Sequence, residues 1–171
     1  MSSPIEGIAK VIHGNGEYSS KLVSLVDRES GALFANISGT KPASDRDYTT
    51  VQVSEDRDID LNSDLVYMNH SCDPNVILDT QKFEVRVAEG KSLKEGDDVT
   101  FFYPSTEWNM QQPFDCSCGT KRCLGKVAGA SHLDDAILST YWLNPHIEGL
   151  LAKRKNSDGS SSSSSDEDRS K

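Results

Sequence analysis

Apolar positions in this chain fall in short runs, and most of the runs predict strands. Leu22 to Val26 and Ala32 to Ile37 are bounded by turn-forming stretches, Asp27 to Gly31 and Ser38-Gly39-Thr40. Tyr48 to Val53 alternates and is rich in β-branched side chains, and Phe83 to Ala88 alternates more cleanly, with one face wet. Asp97 to Tyr103 predicts a buried strand after a Lys-Glu-Gly turn. Strands do not alternate regularly with long helices, which argues against a doubly wound α/β fold.

Helical spacing appears only near the end. Ser131 is placed to cap a helix, with Asp134 three residues on, and Leu133, Ile137, Leu138 and Tyr141 follow at 3–4 spacing. Asn144-Pro145 stops that helix and starts another through Leu150 and Leu151. These two helices either pack onto the body or offer a face for a homodimer. Residues 156–171 are a serine-rich, acidic tail that cannot bury apolar area and is expected to be disordered. Its serines precede acidic residues, a pattern that suits an acidophilic kinase. Lys153-Arg154-Lys155 either compensates a helix dipole or forms part of a nuclear import signal.

Composition narrows the function classes. The 171 residues suit about one domain. No apolar run approaches the ~20 residues needed to span a bilayer, and the first residues lack a signal-peptide pattern. An intracellular location, nuclear or cytoplasmic, and no membrane partner are therefore expected. The net charge is −9; residues 153–171 carry +1, leaving −10 on the preceding 152 residues. An acidic body disfavours direct nucleic-acid binding. It suits a basic protein partner, and equally serves solubility.

The four cysteines change the picture most. Cys72 lies in Asn69-His70-Ser71-Cys72-Asp73-Pro74-Asn75. Cys116, Cys118 and Cys123 lie in Cys-Ser-Cys-Gly-Thr-Lys-Arg-Cys. Three thiolates within eight residues are one short of a closed tetrahedral zinc site, and Cys72 can supply the fourth. Two disulfides are the rival arrangement, disfavoured by the closeness of Cys116 to Cys118 and by the expected reducing compartment.

The heptapeptide resembles the NHSCxPN motif of the SET-domain protein lysine methyltransferases. Cys116 to Cys123 resembles that family's post-SET zinc loop, and Gly96 to Tyr103 its GEELTFDY segment. The resemblance covers roughly residues 5 to 128. It implies a mostly β SET fold, with small curved sheets and a pseudoknot, plus a C-terminal zinc loop and short helices. The implied division is a SET domain over 5–110, the zinc loop over 111–128, a helical segment over 129–155 and the tail over 156–171. It implies S-adenosylmethionine as methyl donor, structural zinc on Cys72, Cys116, Cys118 and Cys123, and a lysine of a histone or another basic protein as acceptor. Tyr103 falls at the catalytic tyrosine. Phe101 falls at the family's Phe/Tyr switch, where a phenyl ring permits di- or trimethylation. Asn69 and His70 match the cofactor clasp, Gly14-Asn15-Gly16 the GxG cofactor loop, and Phe114 and Leu124 the apolar cover over the adenine.

Amine methylation requires a neutral amine, whereas free lysine has a pKa of about 10.4. A buried site beside a sulfonium lowers that value. The sequence departs from the family in several places. The YxGE segment reads Ile37-Ser38-Gly39-Thr40, with either Tyr48 or Tyr67 as the substitute for the lost tyrosine. Val66-Tyr67-Met68 precedes the heptapeptide, Phe102 stands at a commonly acidic position, and no Cys-rich pre-SET module occurs. These departures motivate an alternative, a SET-fold interaction module with weak or no catalysis.

Overall fold

The computed structural model describes residues 3–159. The strands are short and sit in five small sheets. In chain order they are β1 Ala9–Ile12, β2 Lys21–Ser24, β3 Leu33–Asn36, β4 Lys41–Ala43, β5 Thr50–Ser54 and β6 Arg57–Asp60. Then follow β7 Asn69–His70, β8 Val76–Asp79, β9 Glu84–Val87, β10 Thr100–Phe101, β11 Phe114–Asp115 and β12 Lys126–Val127. Strand pairs β1–β2 and β11–β12 are antiparallel ribbons; β3-β9-β8 and β4-β6-β5 are three-stranded sheets; β7 and β10 pair in parallel.

The alternation of Glu84-Val85-Arg86-Val87 explains the central hairpin. Leu78 faces Val85 and Val76 faces Val87 across the β8–β9 ladder, and all four side chains are buried while Glu84 and Arg86 turn outward. The Asp79 carboxylate closes the turn by accepting the backbone N–H groups of Gln81 and Lys82, both at 2.9 Å. These residues join Leu22, Leu65, Met68, Leu93 and Val99 in the main core. Each fully buried aliphatic side chain of this kind contributes about 1.5–3 kcal/mol.

The sequence reading needs correction at three places. The strand expected over residues 97–103 shrinks to Thr100–Phe101 beside the two-residue β7; before it, only a single bridge joins Asp98 to Val23 of β2, and after it Tyr103 turns at once into a 3-10 helix, Tyr103–Ser105. The helix expected from Ser131 is instead a 3-10 turn, Ala130–His132, and a single-turn α1, Asp135–Leu138, with Asp134 at its N-cap. Before it, Gly129 has φ +111° and packs so tightly that a Cβ would lie 2.5 Å from the Trp108 carbonyl oxygen, so only glycine fits. Finally, α2 begins at Pro145 as anticipated but runs to Gly159, beyond the predicted helix end at 155 and into the segment read as disordered. The serine run and acidic cluster of the tail lie outside the described residues.

Ile147 and Leu151 of α2 pack with Leu138, Leu143, Ala130 and Phe102 in a second core. Of the side chains that suggested a dimer face, Leu138 and Leu151 are buried in this core, and Leu133 and Tyr141 pack against it. The three basic residues of the suggested import signal are paired as well. Lys153 meets Glu55, while Arg154 and Lys155 both meet Asp135. No helix among the described residues is long and apolar enough to cross a membrane.

Candidate active site and metal centre

Two features dominate the molecule's functional face: a thiol cluster and a large cavity beside it. The one-ligand atoms of Cys72, Cys116, Cys118 and Cys123 all lie within 4.8 Å of one another. A tetrahedral zinc with bonds of about 2.3 Å puts its sulfurs about 3.8 Å apart. The Cys72 and Cys116 sulfurs are separated by 3.8 Å. All four cysteines are free thiols, so the disulfide alternative does not hold. Burial raises the thiol pKa of both Cys72 and Cys116. A divalent cation is what lets such a group ionise together, and the donor set fits structural zinc with no open position.

The chain builds this cluster by docking three segments. The turn from Cys116 to Cys123 is carried by the β11–β12 ribbon, and the Leu124 N–H reaches the Cys72 sulfur at 3.3 Å. The Tyr141 hydroxyl donates to the Cys72 carbonyl at 2.6 Å. Its ring stacks on Phe102 at 3.7 Å and 3°, and the Arg122 guanidinium lies 4.3 Å from its other face. Arg122 also donates to the Thr140 hydroxyl at 2.8 Å. Phe102 therefore has a local role: it anchors the C-terminal segment under the thiol loop. Tyr141 and Arg122 escaped the sequence reading because a helical spacing and a charged loop explain them equally well.

His70 links the cluster to the cavity. Its Nδ1 accepts the Tyr103 backbone N–H at 3.1 Å, which leaves the proton on Nε2, 3.3 Å from the Cys72 sulfur. Burial lowers its pKa to about 4, so the ring is neutral in neutral solution.

The cavity has a volume of about 880 Å³. Asn69, His70, Phe101, Tyr103 and Phe114 all line it, as do the ligating residues Cys116 and Cys118. The Tyr103 hydroxyl donates to the Met68 carbonyl at 3.0 Å, and its ring centroid is 4.8 Å from that of Phe101. Burial, and then the neighbouring Glu107, hold the phenol well above its ordinary pKa. The Asn69 amide donates to the Ser20 carbonyl at 3.0 Å, and Asn75 clamps β10 by accepting the Thr100 N–H and donating to Asp98. These bonds fix the heptapeptide beneath the cavity floor.

Other predicted residues fall elsewhere. Gly14, Asn15 and Gly16 form the exposed β1–β2 turn and are not among the residues lining the cavity. Gly14 is tight for a different reason: a Cβ there would lie 2.2 Å from the Ser19 hydroxyl oxygen. Leu124 packs against the second core. Of the two substitute tyrosines, Tyr48 lines the cavity, whereas Tyr67 sits edge-on to the His13 ring at 5.6 Å. Among the wall residues that the sequence did not mark, Glu107 stands out. Glu107 follows Tyr103 by four positions, and its carboxylate accepts the Gln52 N–H at 3.0 Å. No sequence motif marks it, and its surroundings are assembled by tertiary contact with Gln52 of β5, Asp58 and Arg46.

The chain is 49% identical over 146 residues to methyltransferase flvH of Aspergillus flavus, covering 85% of this chain and 82% of that protein. It is 30% identical over 77 residues to the histone-lysine N-methyltransferase ash1 of Drosophila melanogaster, spanning 42% of this chain but only 3% of ash1. An H3 lysine-36 specific histone-lysine N-methyltransferase of Debaryomyces hansenii is likewise 30% identical over 77 residues, of which this chain spans 10%. The fold matches the crystal structure of KRYPTONITE in complex with mCHH DNA, an H3(1-15) peptide and SAH. That match has a TM-score of 0.51 at 16% identity, over 69% of this chain and 29% of that one. No family model matches the chain.

Proposed function

This chain belongs to the SET-domain methyltransferase family, and from that premise we propose that it transfers methyl groups from S-adenosylmethionine to a lysine side chain of a histone or another basic protein. The single observation that carries the proposal is the cavity that brings Tyr103, Phe101, Asn69, His70 and Phe114 together beside the thiol cluster. S-adenosylmethionine supplies the methyl group and a sulfonium charge when bound.

The chain's own residues account for the rest. Asn69, His70 and Phe114 are the wall residues suited to the donor. Gly14, Asn15, Gly16 and Leu124 lie outside the cavity wall, so any part they take in holding the donor is indirect. With its proton held on the Met68 carbonyl, the Tyr103 hydroxyl oxygen is left to accept from the amine and orient it. Phe101 presents carbon where a hydroxyl would hold a water, which leaves room for an amine that already carries methyl groups. Zinc on Cys72, Cys116, Cys118 and Cys123 orders the loop that carries Phe114 and excludes water. Residues 5–110 then form the catalytic body, residues 111–128 its metal-bound lid, and the C-terminal segment a brace under that lid.

The acidic net charge of the body supports a basic protein substrate, and the histone-lysine enzymes among the relatives support a lysine. The test incubates zinc-loaded protein and S-adenosylmethionine with core histones and, separately, with lysine-rich proteins from a cell lysate, and reads methyl-lysine by mass spectrometry. Mono-, di- and trimethyl-lysine on a discrete set of sites is the expected result. Methyl groups appearing only on other residue types or on small molecules would overturn the proposal.

A further inference from the structure

Deprotonating the incoming ammonium is the step for which Tyr103 is unsuited. Its proton is committed to the Met68 carbonyl, and burial holds its pKa well above the ordinary value. Neither ring nitrogen of His70 is open, one facing the Tyr103 N–H and the other the Cys72 sulfur. Three further carboxylates line the cavity, Asp47, Asp98 and Asp115, and all three belong to exposed residues. Asp47 is also committed to the Thr49 N–H and hydroxyl, both at 2.7 Å.

Glu107 differs from all of these. It lines the same cavity as Tyr103, Phe101 and Tyr48, and its backbone N–H is bonded to the Tyr103 carbonyl at 3.0 Å, which fixes its distance from that residue. One carboxylate oxygen, Oε1, takes the Gln52 N–H at 3.0 Å and the Thr106 hydroxyl at 3.2 Å. Among the described residues, both of the carboxylate's hydrogen bonds end on that one oxygen, so the side chain is held while Oε2 remains for a ligand.

We propose that Glu107 is a further catalytic residue, which receives the substrate ammonium group in the cavity and takes its proton before methyl transfer. The inference rests on the amine-methylating reading given above. In the step, one N–H bond of the ammonium breaks, its proton moves to the carboxylate, and a neutral amine and a neutral carboxylic acid result. The carboxyl group then returns the proton to solvent. Burial brings the proton affinities of the two groups together, raising that of the carboxylate and lowering that of the amine. The charged groups around Glu107 divide. Asp58 on β6 raises its pKa, Arg46 lowers it, Tyr103 faces it across the turn, and His146 of α2 is bonded to the Thr106 carbonyl beside it.

Two readouts test this. In the first, carboxyl carbon NMR follows Glu107 in the zinc-loaded wild type through a pH titration, with and without n-butylamine. The free carboxyl is expected to titrate near 7, and saturating n-butylammonium is expected to lower that midpoint by about one unit or more. A midpoint that n-butylammonium leaves in place overturns the proposal whether or not a protein substrate has been found. In the second, Glu107→Gln keeps an acceptor for Gln52 and Thr106 but cannot take a proton. Methylation of core histones at neutral pH is expected to fall about 100-fold, with S-adenosylmethionine affinity retained, the acidic limb of the kcat profile abolished, and partial recovery in Glu107→Asp. An unchanged pH profile in Glu107→Gln would equally overturn it. Absence of histone methylation by the wild type itself counts against the proposed function, and the NMR titration then decides the role of Glu107 alone.

Discussion

Asn144 offers the sharpest test of how the C-terminal segment is fastened. Its residue is fully buried. Its Oδ1 accepts both the Thr80 N–H and the Thr80 hydroxyl at 2.9 Å, and its Nδ2 donates to the Leu78 and Ser105 carbonyls, also at 2.9 Å. One side chain thus ties the β8–β9 turn, the 3-10 helix after Tyr103 and the start of α2. In Asn144→Ala the Ser105 carbonyl keeps a partner, because the backbone N–H of residue 144 also reaches it at 3.0 Å. The Thr80 N–H and the Leu78 carbonyl each lose theirs. At about 1–3 kcal/mol for each buried group left unpaired, the loss is about 2–6 kcal/mol, a large part of a typical domain's stability. Asn144→Asp should be at least as damaging, since it sets an oxygen against two carbonyls. Urea denaturation followed by circular dichroism measures this directly: the midpoint should fall while the slope stays constant. A loss under about 1 kcal/mol in Asn144→Ala would refute the reasoning.

Three further outcomes follow from the same geometry. Native mass spectrometry should find one zinc ion per chain, lost in Cys116→Ser and on treatment with a strong chelator. The unfolding midpoint should then fall by about 2–4 °C for each kcal/mol of binding energy removed, and a mass deficit matching disulfides would contradict the site. Desolvation raises the pKa of the half-buried Glu107 carboxyl to about 7, so between that value and its ordinary range the native state binds a proton that the unfolded state releases. Stability should therefore rise by about 3 kcal/mol as pH falls through that window, relative to Glu107→Gln. Neutral His70 pulls the opposite way at the acidic end, which is why the difference between the two proteins is the quantity to read. Phe101→Tyr should shift the products toward monomethyl-lysine without lowering the first methyl transfer, and an unchanged product distribution in mass spectrometry would sink the assignment of that position.

What could be read in advance depended on whether the signal was local. Val85 and Val87 alternate with charged neighbours, so β9 was evident, and Pro145 announced α2 because its ring suits a first helical turn. Strand β6 was invisible, since Arg57-Asp58-Ile59-Asp60 contains a single apolar residue and is a strand only because β4 and β5 flank it. The thiol cluster was legible from spacing, as three of its members are within eight residues. Its supports were not: Tyr141 reaches the Cys72 carbonyl across 69 positions. Tyr48 could not be chosen over Tyr67 from sequence, because the choice depends on how the loop between β4 and β5 folds over the cavity. Glu107 belongs to the same class, an ordinary exposed-type residue made unusual by the Gln52 backbone above it.

The central claim is that Tyr103 stands at the reacting amine in a cavity that also holds the methyl donor. Transfer of labelled methyl groups from S-adenosylmethionine to lysine should be measured for the wild type and Tyr103→Phe, with donor affinity determined for both by calorimetry. The account predicts that the variant binds the donor about as tightly while turnover falls at least about 100-fold. Equal turnover, or a loss explained wholly by weaker donor binding, would contradict it.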